Sequence, residues 1–105
     1  MSKIYNIDPE AGINVYNVRD AIVECFFQAH CQDAGLSDIT DGGNKEYCKS
    51  VVEKGFSDVG GDFENPTKES IEKVLDYLAE FSKNFRDPEI IKEHYKEIMN
   101  LVNKL

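Results

Sequence analysis

The side chains of this sequence that could bind a metal ion, or act as nucleophile and base, are its three cysteines and two histidines. Cys25, His30 and Cys31 lie close together, whereas Cys48 and His94 come later in the chain. A tetrahedral zinc site needs about four such ligands, which converge on the ion at about 2.0–2.3 Å. Cys25 and Cys31 lie on one predicted helix, about 120° apart around its axis, and therefore point in different directions. The candidate metal ligands are Cys25, His30 and Cys48, and they form a site only where Cys48 meets this helix across an interface.

Covalent catalysis by a cysteine requires a general base next to the thiol. His30 directly precedes Cys31, but sequence neighbours on a helix do not face each other. His94 lies on the apolar face of a distant predicted helix and could reach Cys25 or Cys31, yet the sequence contains no sharp turn to present a thiol and no oxyanion loop. Cysteines outside disulfides are usually small buried apolar residues, and we interpret Cys25 and Cys48 in this way. We therefore predict a protein that is not an enzyme and that needs no cofactor.

His30 also lies within the apolar arc of its helix, with Arg19 about three turns earlier on the same side. A buried pair of these residues, with Asp33 nearby, could bind an anion or tune a proton acceptor. In the alternative, which we favour, Arg19 extends towards solvent at the start of the helix, while His30 bonds a carbonyl group or Asp33.

Four acidic residues between positions 58 and 69 match part of the calcium-binding loop pattern D-x-[DN]-x-[DN]-G-x5-E. The matching residues are Asp58, Asp62, Glu64 and Glu69. Gly60 stands where a further ligand is expected, however, and Phe63 stands where a glycine makes the sharp turn. The sequence therefore predicts no true calcium loop, and it leaves a looser divalent site among the same acids as an alternative.

The cysteines and His30 must be positioned by helices, and the first predicted helix covers residues 15–34. It begins at Asn14 or Asn17, which are both good N-caps. Its apolar residues occupy about half of the circumference, which is wider than the ~100° stripe of a surface helix. Its polar face carries Asp20, Glu24, Gln28 and Gln32.

A helix with such a wide apolar arc is either surrounded by other helices of its own chain or partly buried in a second subunit. Because a short chain has few other helices to cover the arc, we predict a homodimer. The predicted contact residues are Tyr16, Val23 and Phe27, which lie on one flank of the arc.

The second predicted helix covers residues 44–54 and lies between glycine-containing loops. Gly35 and Gly55 each follow a helical pattern and precede a large apolar residue, as in a C-terminal glycine cap. We therefore expect the first two helices to end at these glycines.

Two further helices are predicted by start signals at Asn65-Pro66 and Asp87-Pro88. Each signal is followed by apolar residues with helical spacing. The first set is Ile71, Val74, Leu75, Leu78, Phe81 and Phe85, and the second is Ile91, Tyr95, Ile98, Val102 and Leu105. The link between them, residues 84–87, is short and predicts an antiparallel pair.

Residues 3–14 could form two short strands around a turn, or an extended arm that lies across the helices. Together the patterns predict an all-α fold, a four-helix bundle-like domain with one short helix and an N-terminal extended arm or small hairpin. The length of 105 residues fits a single helical domain over residues 1–105.

The net charge of −8 repels phosphate groups, and no cluster of lysine and arginine offsets it. We therefore predict no binding to nucleic acid or to an anionic membrane. No apolar run approaches the roughly 20 residues that span a bilayer. The N-terminus lacks the basic start and apolar stretch of a signal peptide, and an odd number of cysteines argues against a disulfide framework. We expect a cytoplasmic protein with reduced thiols.

These observations favour a small acidic helical protein that acts through protein–protein contact. Its partner is either a second copy of the chain or a basic or neutral protein. The alternative is a helical domain that binds a metal or a small ligand through Cys25, His30, Cys48 or His94.

Overall fold

The computed structural model describes residues 12–33, 42–84 and 89–105. Within these ranges the chain forms four helices and no strand, which confirms the predicted all-α, bundle-like fold. The helices are α1 (Val15–Asp33), α2 (Gly42–Asp58), α3 (Lys68–Phe81) and α4 (Glu89–Val102), and a short 3-10 helix (Ser82–Asn84) follows α3. Residues 12–14 precede α1 without regular structure. The rest of the predicted hairpin or arm, residues 3–11, lies outside the described residues.

The helix α1 is the centre of the bundle, because it packs against each of α2, α3 and α4 and all of its residues from 21 to 27 are buried. Apolar side chains from all four helices form one core around it. Its largest buried members are Phe26, Phe56, Ile22, Ile71, Ile98, Val18, Val52, Val74 and Val102. Burying a side chain of this size contributes about 1.5–3 kcal/mol. The wide apolar arc of α1 is therefore covered by helices of its own chain.

The polar face predicted for α1 is narrower than the sequence pattern indicates. Glu24, which we expected to face solvent, is only 9% exposed, and its Oε1 accepts a hydrogen bond of 3.2 Å from Nε2 of Gln28. Every residue from 21 to 27 is buried. Glu24 is buried because α1 lies at the centre of the bundle, where little of its circumference contacts water.

A reciprocal pair of asparagines fixes the start of α1. Oδ1 of Asn14 accepts hydrogen bonds from the backbone N–H groups of Tyr16 (2.9 Å) and Asn17 (3.0 Å). In return, Oδ1 of Asn17 accepts one from the backbone N–H of Asn14 at 2.9 Å. Asn14 is therefore the N-cap, and Asn17 completes a capping box from the third helical position.

The helix α2 is longer than predicted, since it covers Gly42–Asp58 rather than residues 44–54. The prediction that Gly55 ends this helix is wrong, because Gly55 lies inside it. The capping residue is instead Gly60, whose φ of +81° is the left-handed conformation that glycine adopts readily. The N–H of Gly61 bonds the carbonyl of Phe56 (2.8 Å) and that of Gly60 bonds the carbonyl of Ser57 (3.1 Å), which is the Schellman pattern.

The helix α3 begins later than the Asn65-Pro66 signal predicts. Its N-cap is Thr67, and the side chains of Thr67 and Ser70 each accept a hydrogen bond from the other residue's backbone N–H. Asn65 stabilises the preceding loop instead, since its Nδ2 donates to Oδ2 of Asp62 at 3.0 Å.

The hydroxyl of Tyr95 in α4 lies 3.5 Å from Oδ1 of Asp76 in α3.

Among the helices that the structure describes, none combines the length and the apolar character needed to cross a membrane.

Candidate functional site

Tyr16, Arg19 and Phe63 form a cluster that joins distant parts of the chain, which we call the Arg19 cluster. Tyr16 and Arg19 lie one turn apart at the start of α1, and Phe63 belongs to the loop between α2 and α3. Cζ of Arg19 lies 4.7 Å from the centroid of the Phe63 ring and 5.7 Å from that of Tyr16. Both distances are within the range of cation–π attraction.

Hydrogen bonds fix the guanidinium group of Arg19 in this position. Nη1 donates to the backbone carbonyl of Phe63 at 2.9 Å. Nε and Nη2 lie 3.0 Å and 2.9 Å from Oδ1 of Asp20. The Arg19 side chain is only 15% exposed, whereas that of Asp20 is 65% exposed. The aromatic rings therefore contact the planar face of the guanidinium, and the hydrogen bonds hold its edge.

The ring of Phe63 in turn packs against the core. It meets the buried ring of Phe56 edge to face, with centroids 5.7 Å apart and an interplanar angle of 83°. This geometry is one that aromatic pairs prefer. Phe56 of α2, Phe63 of the loop and Arg19 of α1 therefore form a continuous stack that anchors the loop to two helices.

Tyr16 is the exposed end of this stack. It is 53% exposed, which makes it, with Tyr47, one of two large apolar side chains described as exposed. Its backbone is fixed by the Asn14 cap, and its ring lies beside a guanidinium that cannot move freely. A partly ordered aromatic ring with a hydroxyl group can contact both apolar and polar groups of another molecule.

The anion-binding pair of Arg19 and His30 is not formed. The two residues are eleven positions apart on α1, which corresponds to about 16 Å along the helix axis. Arg19 is committed to Phe63 and Asp20, while the ring of His30 lies beside Tyr47 of α2, with centroids 5.6 Å apart. The side chain of Asp33 lies outside the described residues.

The structure buries two of the three predicted contact residues within the chain. Val23 is 8% exposed and Phe27 is 2% exposed, because α1 is surrounded by the other helices. Of these three predicted residues, Tyr16 alone is exposed, at 53%. We predicted contact at Val23 and Phe27 because a short chain has few helices to cover the apolar arc of α1. The other helices cover that arc, so this reason for the prediction no longer holds.

The candidate metal ligands are distributed over α1 and α2. Cys25 and Cys48 are buried thiols, and His30 is half-buried beside Tyr47. Each of the three has an interaction within the structure. In the part of the chain that the structure describes, no group of three or more histidine, cysteine, aspartate or glutamate side chains could hold a metal ion. The side chain of Cys31 lies outside that part.

The acids of the loop between α2 and α3 are engaged locally. Oδ1 of Asp62 accepts from the backbone N–H of Glu64 and Oδ2 accepts from Asn65, both at 3.0 Å, and these bonds lower the pKa of Asp62. Asp58 pairs with Lys54 at 2.8 Å. Glu69 forms a surface ion pair with Lys73 at 3.1 Å. The carboxylates of Asp58, Asp62 and Glu69 therefore each stabilise the helix or turn to which they belong.

His94 of α4 is half-buried, and its burial lowers its pKa below the usual value. Glu93 and Glu97, on either side of it in the sequence, oppose this shift because their negative charges favour the imidazolium. On the neighbouring flank of α4, burial raises the pKa of Tyr95, and the charge of Asp76 adds to the shift. Both pKa shifts originate in burial, and the neighbouring carboxylates reduce the shift of His94 but add to that of Tyr95.

Sequence reasoning identified Tyr16 but missed the role of Phe63, which it considered only as a departure from the calcium pattern. The sequence feature that could have indicated this role is Phe63 itself, an aromatic residue in an otherwise polar and glycine-rich loop. Such a residue needs an apolar surface to cover it, and Phe56 and the Arg19 side chain provide that surface.

Comparison of this chain with protein-family models, with curated proteins and with solved structures found no match.

Proposed function

We propose that this chain is a protein–protein interaction module and that Tyr16 is the centre of its contact surface. The observation that supports the proposal is the exposed Tyr16 ring beside the immobilised guanidinium of Arg19. Tyrosine and arginine are enriched among the residues that contribute most to binding at interfaces. Because Arg19 is already ordered, binding costs little of its side-chain entropy.

The proposed partner is, in the first place, a second copy of the chain. A two-fold interface requires a patch that is complementary to itself. The exposed Tyr16 ring supports such pairing, since the same aromatic surface is presented by each copy and the exposed Asp20 carboxylate lies one turn later on α1.

In the second form of the same proposal, the partner is a different protein. The net charge of −8 favours a basic or neutral partner over an acidic one, and it disfavours nucleic acid and anionic membranes. The proposed location is the cytoplasm, where the buried thiols of Cys25 and Cys48 stay reduced.

The proposal is tested with Tyr16→Ser and with Tyr47→Ser as the matched control, since both tyrosines are about half exposed. Light scattering across a wide concentration range measures the assembly state of the wild-type protein and both variants. We expect a dimer whose dissociation constant rises about tenfold or more in Tyr16→Ser and stays unchanged in Tyr47→Ser.

A wild-type protein that stays monomeric at millimolar concentration removes the homodimer. Affinity purification with the three proteins then examines the second form of the proposal. The expected result is a specific protein that wild type and Tyr47→Ser retain and Tyr16→Ser loses. If every retained protein binds Tyr16→Ser equally well, the contact surface is not at Tyr16.

A further inference from the structure

A second surface runs along α3, on the side where the end of α2 packs against it. It consists of two adjoining cavities of about 370 and 410 Å³, which share Val59 and Lys73 and which we together call the α2–α3 groove. Both volumes fall within the range of about 300–1,000 Å³ for ligand pockets. The groove reaches from Asp62, in the loop before α3, to Glu80 in the last turn of α3. It therefore follows most of this helix, whose 14 residues are about 21 Å long.

The apolar part of the groove is formed by Val59 and Tyr77, which are both half-buried. Tyr77 is held against α2, since a Cβ on Gly55 would lie only 2.8 Å from its Cδ1. A ring in such close contact with a neighbouring helix has little freedom to move. The groove therefore offers a preformed apolar wall, which suits the aliphatic stem of a long charged side chain.

Acidic side chains predominate among the described residues that line the groove. The lining contains four exposed carboxylates and one exposed ammonium group, which belong to Asp62, Glu69, Asp76, Glu80 and Lys73. Lys68, at the first position of α3, lies about 140° from Lys73 around the helix axis and thus on the far side of α3. A groove with this lining attracts cationic groups.

The excess of negative charge remains when the lysines that border the groove are counted. Three surface ion pairs balance them: Lys54 with Asp58 at 2.8 Å, Lys73 with Glu69 at 3.1 Å and Lys83 with Glu80 at 3.0 Å. Asp62 and Asp76 are then left, one in each cavity. In the described part of the chain, Asp62 accepts from a backbone N–H and a side-chain amide, and Asp76 lies 3.5 Å from the Tyr95 hydroxyl. These partners are neutral, so neither aspartate has its negative charge balanced by them.

We propose that the α2–α3 groove docks a basic peptide segment of a partner protein. One arginine of the segment lies with its stem against Val59 and Tyr77 and its guanidinium beside Asp76, and a second basic side chain lies beside Asp62. Charge complementarity selects this occupant, because an acidic segment would meet the unbalanced carboxylates. Arginine suits the site, since its guanidinium can bind a carboxylate through two hydrogen bonds and stack on an aromatic ring.

The test uses three 12-residue peptides with a fluorescent label. One carries leucine and arginine in alternating pairs, the second has glutamate in place of each arginine, and the third has alanine in place of each leucine. In a fluorescence-anisotropy titration, the leucine–arginine peptide should bind about tenfold or more tightly than either of the others. Its addition should shift the backbone amide NMR signals of Val59, Asp76 and Tyr77 and leave those of Tyr16 and Arg19 unchanged.

Two double variants with the same charge change show whether the groove itself is responsible. Asp62→Asn/Asp76→Asn neutralises the two unbalanced carboxylates, and Glu46→Gln/Glu53→Gln neutralises two exposed carboxylates on α2. Glu53 lies two residues before Gly55, and thus about 160° away around α2 from the contact with α3. The first double variant should weaken peptide binding roughly tenfold or more, whereas the second should change the affinity by less than about threefold.

The docking proposal is wrong if millimolar leucine–arginine peptide shifts none of these amide signals. It is equally wrong if the two double variants lose the same affinity, since the net charge of the protein alone then attracts the peptide. Unchanged affinity for the alanine-substituted peptide would contradict a role for the apolar wall. The described lining of the groove includes no residue of the Arg19 cluster, so Tyr16→Ser should leave peptide binding unaltered and either proposal can fail without the other.

Discussion

Arg19 and Phe63, which are 44 positions apart in the sequence, contact each other through both backbone and ring. Nη1 of Arg19 donates to the Phe63 carbonyl at 2.9 Å, and Cζ lies 4.7 Å from the ring centroid. Arg19 thus donates a hydrogen bond to the Phe63 carbonyl and also covers one face of the Phe63 ring. This contact joins the loop between α2 and α3 to the first turns of α1.

Replacing Arg19 by methionine should destabilise the protein by about 1–3 kcal/mol. Methionine keeps an apolar stem over Phe63, but it removes the charged donor from the Phe63 carbonyl and the cation–π contact. Urea denaturation followed by circular dichroism measures the loss. The control is Lys49→Met, at an exposed position of α2. If both variants lose stability equally, the contact between Arg19 and Phe63 contributes nothing specific.

Gly55→Ala should destabilise α2, although alanine usually stabilises a helix relative to glycine by roughly 1 kcal/mol. A Cβ on Gly55 would lie 2.8 Å from Cδ1 of Tyr77 in α3, so the ring or the helix must move. Forcing extra volume into a packed contact costs about 1–3 kcal/mol.

A double-mutant cycle with Tyr77→Ala measures this clash. In the Tyr77→Ala background the Gly55→Ala substitution should become neutral or stabilising, because the ring that it meets is absent. The same cost in both backgrounds would contradict the close approach of Gly55 and Tyr77.

Thr67→Ala should cost about 1 kcal/mol of folding stability. The substitution removes the hydroxyl that accepts from the Ser70 backbone N–H at 3.0 Å, and thus half of the capping box of α3. Ser57→Ala, at an exposed position in the last turn of α2, is the matched control. Thermal melts of both variants give the comparison, and an unchanged melting temperature in Thr67→Ala would show that another residue caps α3.

His94 should titrate below the ordinary histidine pKa of about 6.5 in an NMR experiment on the folded protein, because burial disfavours its charged form. The unfolded state then binds the proton more readily, so stability rises with pH in this range. The contribution is fully present above about pH 6.5 and is lost as the pH falls towards the folded-state pKa.

The variant His94→Gln assigns the NMR signal and removes this part of the pH dependence. Denaturation at pH 7.5 and at pH 5.5 should show a smaller difference in stability for His94→Gln than for wild type. A His94 signal that titrates above pH 6.5 would mean that Glu93 and Glu97 outweigh burial.

The sequence predicted the helical fold and the start of α1, but it misplaced both ends of α2 and the start of α3. Asn14 caps α1 as one of the two predicted alternatives, because the partners in its capping box lie within three residues. Gly55 resembled a cap because it precedes a large apolar residue, yet it lies within α2, where Tyr77 packs against it. The helix is capped instead at Gly60, whose left-handed conformation allows the Schellman hydrogen bonds to Ser57 and Phe56.

By itself, the amino-acid sequence determined the features that depend on neighbours within one or two turns, namely the helical periodicity and the Asn14 cap. Only the tertiary structure decided that α1 is surrounded, that Val23 and Phe27 are buried in the chain, and that Arg19 holds Phe63. The physical reason is that burial depends on which helices pack together. That arrangement minimises the exposed apolar surface of all helices at once, so the pattern of one helix cannot reveal it.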